Sequence, residues 1–89
     1  MKKEAHVLDL FSGPGGLSEG FNTAKIGNHT FRSVVANDND VHASVTYRKN
    51  HPGVKFVLGD ISASEIKKKI VKAIKAETGR NTVDVIIGG

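Results

Sequence analysis

Four short apolar runs divide this chain, and helical-period segments separate them. The runs are HVLDLF, FRSVVAND, VKFVLGD and TVDVIIGG. Their apolar and β-branched content, bounded by Gly, Asn, Asp and Pro, suits buried strands. The segments between them are GLSEGFNTA, DVHASVTYRKN and SASEIKKKIVKAIKAETG. The order is therefore β-α-β-α-β-α-β. Strands that alternate with helices pair in parallel through crossovers of one hand. A parallel sheet is covered on both faces, which suits uninterrupted runs such as VVA and DVII. The expected architecture is α/β: a partial doubly wound parallel sheet, four strands in the order 3-2-1-4, with three helices.

Local signals place the boundaries. The first helix carries Leu17, Phe21 and Ala24 on one face, with Gly20 weakening it, and IGNHT follows as a loop. Asp40 is the expected N-cap of the second helix, which stops before HPG and packs through Val45 and Tyr47. In the third, Ser62 or Ser64 caps the start, Gly79 ends it, and Ile66, Ile70, Val71 and Ile74 form the inner stripe. The fourth strand falls at the open edge of the sheet. An uncharged β-branched edge tends to pair with something, so more polypeptide is expected beside it, either a second chain or a continuation.

Composition narrows the class. With 89 residues the chain is one domain or part of one. Such a chain buries roughly 60% or more of its unfolded surface, enough for a core with little margin. No run approaches the ~18 apolar residues of a membrane span, and MKKEAHV lacks the apolar stretch of a signal peptide. No disulfide and no thiolate chemistry is available, because there is no cysteine. His6, His29, His42 and His51 show no ligand spacing. The net charge of +4 resides in residues 65–80, where six cations face two carboxylates; the other residues balance seven against seven. That stretch is either a solvated helix face or a nucleic-acid-facing patch, and with almost no aromatic residues it does not stack bases.

In a doubly wound sheet the ligand lies beyond the carboxyl ends of the strands. Those ends here read FSGPGG, NDND, GDI and GG, each with glycine or a carboxylate. Gly13, Gly15 and Gly16 allow positive φ and close backbone approach, and the following helix offers unpaired N–H groups. The loop is not a dinucleotide fingerprint, since Ser18 takes the third glycine's place, and no Lys-Ser/Thr follows to make a phosphate-cradling loop. Pro14 removes a donor, which suits a small anion better than a pyrophosphate. Asp38 lies 23 positions after Gly15, the spacing at which a carboxylate accepts from ribose hydroxyls; Asp40 competes for that role, with Asp38 preferred because Asp40 suits the helix cap. Asp60 either accepts from the exocyclic amine of adenine or caps the next helix. Ile61 can cover the base, and Phe11 either packs on it or joins the core.

These segments together resemble the DNA (cytosine-5) methyltransferases over essentially the whole chain, from Ala5 to Gly89. DLFSGPGGLSEGF looks like the family's first motif, which wraps the methionine part of S-adenosyl-L-methionine. VVANDND is similar to the second, GDI to the third, and VDVIIGG to the strand that leads into a Pro-Cys motif. The resemblance implies a Rossmann-like fold. It also implies that Phe11, Ser12, Gly13, Pro14, Gly16 and Leu17 surround the methionine, that Asp38 binds ribose, and that Asp60 and Ile61 hold adenine. Asn39 stands where the family often stacks an aromatic ring, a role asparagine performs poorly. Gly88 and Gly89 match the segment before the reacting centre.

The same resemblance exposes a departure. Its members add a cysteine thiolate to C6 of a flipped cytosine, making C5 nucleophilic. This chain has no cysteine. Residues 1–89 are therefore expected to be the amino-terminal, incomplete part of a methyltransferase catalytic domain, inactive alone. The implied partners are a companion polypeptide with the Pro-Cys motif and target-recognition region, and double-stranded DNA through the assembled enzyme. A bacterial-type cytoplasm and a restriction-modification setting follow as expectations. The alternatives are a non-catalytic cofactor-binding remnant or regulatory module, and a nicotinamide-cofactor domain, which Ser18 and Pro14 disfavour.

Overall fold

The computed structural model describes residues 3–11, 13, 20, 25–27 and 29–88. Its elements are β1 (Lys3–Leu10), β2 (Lys25–Ile26), β3 (His29–Asp38), α1 (Val41–Asn50), β4 (Lys55–Leu58), α2 (Ser64–Thr78) and β5 (Val85–Gly88). β1 pairs in parallel with β3 and β5, and β4 pairs in parallel with β3. The parallel strands therefore lie in the order β4-β3-β1-β5, the expected 3-2-1-4 arrangement. Two helices fall among the described residues. The expected first helix, over 16–24, lies outside them apart from Gly20.

Departures from the expected boundaries have local causes. β1 begins at Lys3 and β3 at His29, earlier than their apolar runs, because their polar starts pair with each other from Lys3↔His29 onward. Arg32 Nε donates to Glu4 Oε1 at 2.9 Å across that pair. IGNHT is not wholly loop: Ile26 and Lys25 pair antiparallel with His29 and Thr30, and Gly27 at φ +61° sits in the turn. The β1–β3 register also slips between Val7 and Leu8, leaving Val34 as a bulge. Asp84 clamps the approach to β5: its carboxylate accepts from the His6 N–H at 2.8 Å, and its N–H donates to the His6 carbonyl at 2.9 Å.

The two helices cover opposite faces. The crossover through α1 moves outward from β3 to β4, whereas the one through α2 returns past β3 and β1 to β5. Crossovers of one hand that travel in opposite directions place their helices on opposite sides. Accordingly Tyr47 of α1 packs with Ala36 and Phe56, while Ile70, Ala73 and Ile74 of α2 pack with Leu8, Val35 and Val57. Burying one such isoleucine contributes about 1.5–3 kcal/mol.

Two packing expectations are corrected here. Val45 is exposed, because the inner stripe of α1 runs through Ser44 and Tyr47. Val71 is also exposed, and Ala73 takes its place beside Ile66, Ile70 and Ile74 at the i, i+4, i+7, i+8 spacing.

Candidate functional site

β1, β3 and β4 end at one side of the sheet, and hydrogen bonds tie their tips together. Beyond β1 the chain turns through Phe11 at φ +53° and Gly13 at φ +54°. The Gly13 N–H then donates to Asp38 Oδ2 at 2.8 Å, joining the tip of β1 to that of β3. Asp38 Oδ1 accepts from the Asp40 N–H at 3.0 Å. The Asp38 carbonyl accepts from the Gly59 N–H at 2.9 Å, joining β3 to β4. Asn37 strengthens that junction from below: its Nδ2 donates to the carbonyls of Val57 and Gly59 at 2.9 and 3.0 Å. A buried side-chain amide with both donor hydrogens used is held in one orientation.

The carboxylates divide their roles as their positions dictate. Asp40 is the N-cap of α1, its Oδ1 accepting from the His42 and Ala43 N–H groups at 2.9 and 3.4 Å. Asp38 is thereby left at the tip. Its two oxygens each accept one backbone N–H, and a carboxylate has room for about four donors. Asp60 does not cap α2, whose N-cap is Ala63 with no side-chain bond. Neither Ser62 nor Ser64 fills that place: Ser64 is the first helical residue, and Ser62 turns back to Asp60. Its N–H and its hydroxyl both donate to Asp60 Oδ1 at 2.8 Å. These two bonds, the backbone one foremost, hold the Asp60 carboxyl below its ordinary pKa of 3.8. It is therefore a charged acceptor at neutral pH, with Oδ2 uncommitted among the described residues.

Apolar surface accompanies these acceptors. Phe11 does not join the core: it is 52% exposed, on a backbone conformation unusual for a bulky residue. Such strain persists where the surroundings over-determine it, and it concentrates at ligand sites. Ile61 is half-buried, packed against the α2-side core. Asn39 is exposed at the β3 tip. Ser12, Pro14, Gly16, Leu17 and Gly89 lie outside the described residues, as does Gly15. Gly88 ends β5 opposite Leu10. An oriented carboxylate, a second ionised acceptor and two neighbouring apolar side chains thus gather at one end of the sheet, a set rich in hydrogen-bond acceptors.

Asn37 was not among the residues expected at the site, although a polar residue inside the apolar run VVAND is the signal that marks it. Asp9, fully buried in β1, was missed likewise within VLDLF. Hollows elsewhere on the surface do not compete with the tips. One, lined by Glu4, Arg32, His51 and Val54 among others, opens at the opposite ends of β1 and β3, where no glycine loop or strand-end carboxylate gathers. The described residues contain no helix long and apolar enough to cross a membrane.

The family model for C-5 cytosine-specific DNA methylases matches residues 5–89. The type II methyltransferase M.Eco47II of Escherichia coli is 39% identical over 83 residues, covering 93% of this chain and 16% of its own length. M.AgeI of Thalassovita gelatinovora, also a type II methyltransferase, is 38% identical over 83 residues, covering 93% of this chain and 18% of its own. A crystal structure described as a prophage-encoded DNA modification methyltransferase of E. coli superposes with a TM-score of 0.70 at 36% identity, over 96% of this chain and 22% of that one. The chain thus spans about a fifth or less of the length of these relatives. With the family match covering nearly every residue, the chain belongs to the C-5 cytosine-specific DNA methylases.

Proposed function

We propose that this chain binds S-adenosyl-L-methionine at the tips of β1, β3 and β4. It thereby supplies the cofactor-holding amino-terminal part of a DNA cytosine-5 methyltransferase. Methyl transfer to C5 of cytosine takes place when it is combined with polypeptide carrying the Pro-Cys motif and target-recognition region. The bound cofactor supplies an electrophilic methyl group. The chain's own residues bind and orient it. Asp38, fixed by the Gly13 and Asp40 N–H groups, accepts from the ribose hydroxyls. Asp60 accepts from the exocyclic amine of adenine through Oδ2, while Ser62 occupies Oδ1. Phe11 and Ile61 cover the base, Asn39 lies beside it, and the backbone about Gly13 faces the methionine. Ser12, Pro14, Gly16, Leu17 and Gly89 complete the contact set by their match to the family motif. The cytoplasm of a bacterial-type cell is the compartment this activity calls for.

One observation carries this reading: the Gly13–Asp38 bond, which brings the glycine loop and the acidic strand end into one site. Calorimetric titration tests it. S-adenosylhomocysteine should bind and NAD should not. Binding of NAD alone, or of neither, would overturn the proposal. The absence of cysteine favours one second reading, a cofactor-binding module without turnover. A companion polypeptide that begins at a Pro-Cys segment should restore methyl transfer to duplex DNA. Tight S-adenosylhomocysteine binding with no rescue by any companion would select the second reading.

A further inference from the structure

Five of the thirteen Lys and Arg residues of the chain lie on α2, and four of them, all but Lys69, share one side. At about 100° per residue, Lys67, Lys68, Val71, Lys72 and Lys75 fall on a single outward ridge. The inner stripe of buried Ile70, Ala73 and Ile74 and half-buried Ile66 lies on the opposite side of the helix. The same five ridge residues line one shallow hollow, floored by Val71 and the lysine stems. From Lys67 to Lys75 the ridge runs about 12 Å at 1.5 Å per residue. Among the described residues, none of its lysines forms an ion pair.

Solvation alone does not account for this pattern. A helix face built for water usually alternates its charges at i, i+4. Here Lys68 faces Lys72, and Lys72 faces Lys75, so neighbours repel. A polyanion laid along the ridge relieves that repulsion. The side-chain types indicate which polyanion. Protein–protein interface cores are depleted in lysine and built on aromatic or arginine anchors, and this ridge has neither. Single-stranded nucleic acid needs aromatic stacking platforms, also missing. An exposed row of point charges is suited to the phosphate backbone of a duplex.

We propose that the α2 ridge is a sequence-independent contact for the phosphate backbone of double-stranded DNA, separate from the strand tips. It rests on the proposed function only in taking duplex DNA as the polyanion this chain meets.

The test is fluorescence anisotropy with a labelled duplex of arbitrary sequence, titrated with the 89-residue chain across a range of salt. With four lysines engaged, log K should fall with log salt at a slope of about −3 to −4. Replacing Lys67, Lys68, Lys72 and Lys75 by Gln should flatten that slope by about 0.9 per lysine engaged and lower affinity at least ~tenfold at low salt. The same four positions changed to Arg should keep both. Unchanged duplex binding in the Gln variant would overturn the proposal. So would poly-glutamate that competes on equal terms with duplex, which would assign the ridge to an acidic polypeptide. S-adenosylhomocysteine titration of the same variants separates the two ideas: the Gln variant should bind it as the parent does. Failure of both parent and variant to bind it, with duplex binding still lost on neutralisation, would sink the cofactor site and leave the ridge standing.

Discussion

Asp38 serves two ends from one position, and a substitution there separates them. Its carboxylate anchors the Gly13 and Asp40 N–H groups and, by the proposal above, receives the ribose. Asp38→Ala is expected to lower S-adenosylhomocysteine affinity by about 1–3 kcal/mol, the usual cost of deleting a partner to buried polar groups. Calorimetry on the folded fraction measures this. A lower melting temperature with unchanged affinity would make Asp38 a loop anchor and nothing more. Asp60 yields a pH prediction. Its pKa is lowered in the folded chain, first by the Ser62 N–H and then by the Ser62 hydroxyl. The stabilisation from these bonds is complete above the unfolded carboxylate range and is lost as pH falls through the lower folded value. Asp60 therefore stays ionised from neutrality down past 3.8. Carboxyl-carbon NMR should find its midpoint below that figure. Ser62→Ala should raise the midpoint only in part, because the backbone N–H remains; full return to the ordinary range would mean that the hydroxyl was the main cause.

At the scale of elements, the junction of β4 with α2 is the tightest fit next to the site. Gly59 has φ +150°, a conformation that side chains rarely adopt, and a Cβ there would collide with the Ile66 side chain. Gly59→Ala should destabilise by about 1–3 kcal/mol in chemical denaturation, combining backbone strain with overpacking. Shortening Ile66 to Ala removes the collision but not the strain. The double variant should therefore cost less than the two single costs added, and strict additivity would show that no collision existed. What was legible in the sequence follows the same physics. The capping of α1 by Asp40 and the end of α2 at Gly79, φ +76°, were readable because each rests on one residue's local chemistry. The inner face of α2 was misread at Val71, because side-chain size was followed where angular position decides; Ala73 is small but correctly placed. The early start of β3 was hidden because polar residues pair there, although the Gly27-Asn28 pair is a hairpin signal. The placement of Asp38 and Asp60 at the ends of β3 and β4 was legible from topology. Asn37 was not, since its role is to bond a neighbouring strand's carbonyls, which no spacing rule reveals.

For the molecule as a whole, strand order was the most legible property, because βαβ connections leave few alternatives and the helices fix the faces. That order leaves β5 paired to β1 on one side, with no strand on its other side among the described residues. Ile86 lies on this outer strand in register with the buried Leu8 and is 63% exposed. Among the described residues no strand pairs with the outer edge of the β5 backbone. An edge that is short but apolar and uncharged templates pairing with another chain. The isolated chain is therefore expected to self-associate as concentration rises, read by sedimentation velocity. Ile86→Lys should shift it to monomer. That change should alter stability little, because the side chain is already mostly in water and lysine is a common guard of edge strands. If the companion polypeptide proposed above docks on β5, it should dissolve the self-associated form, since both compete for one edge. A chain that remains monodisperse and monomeric at high concentration would show that this edge recruits nothing, and the proposed companion would then have to join by another surface.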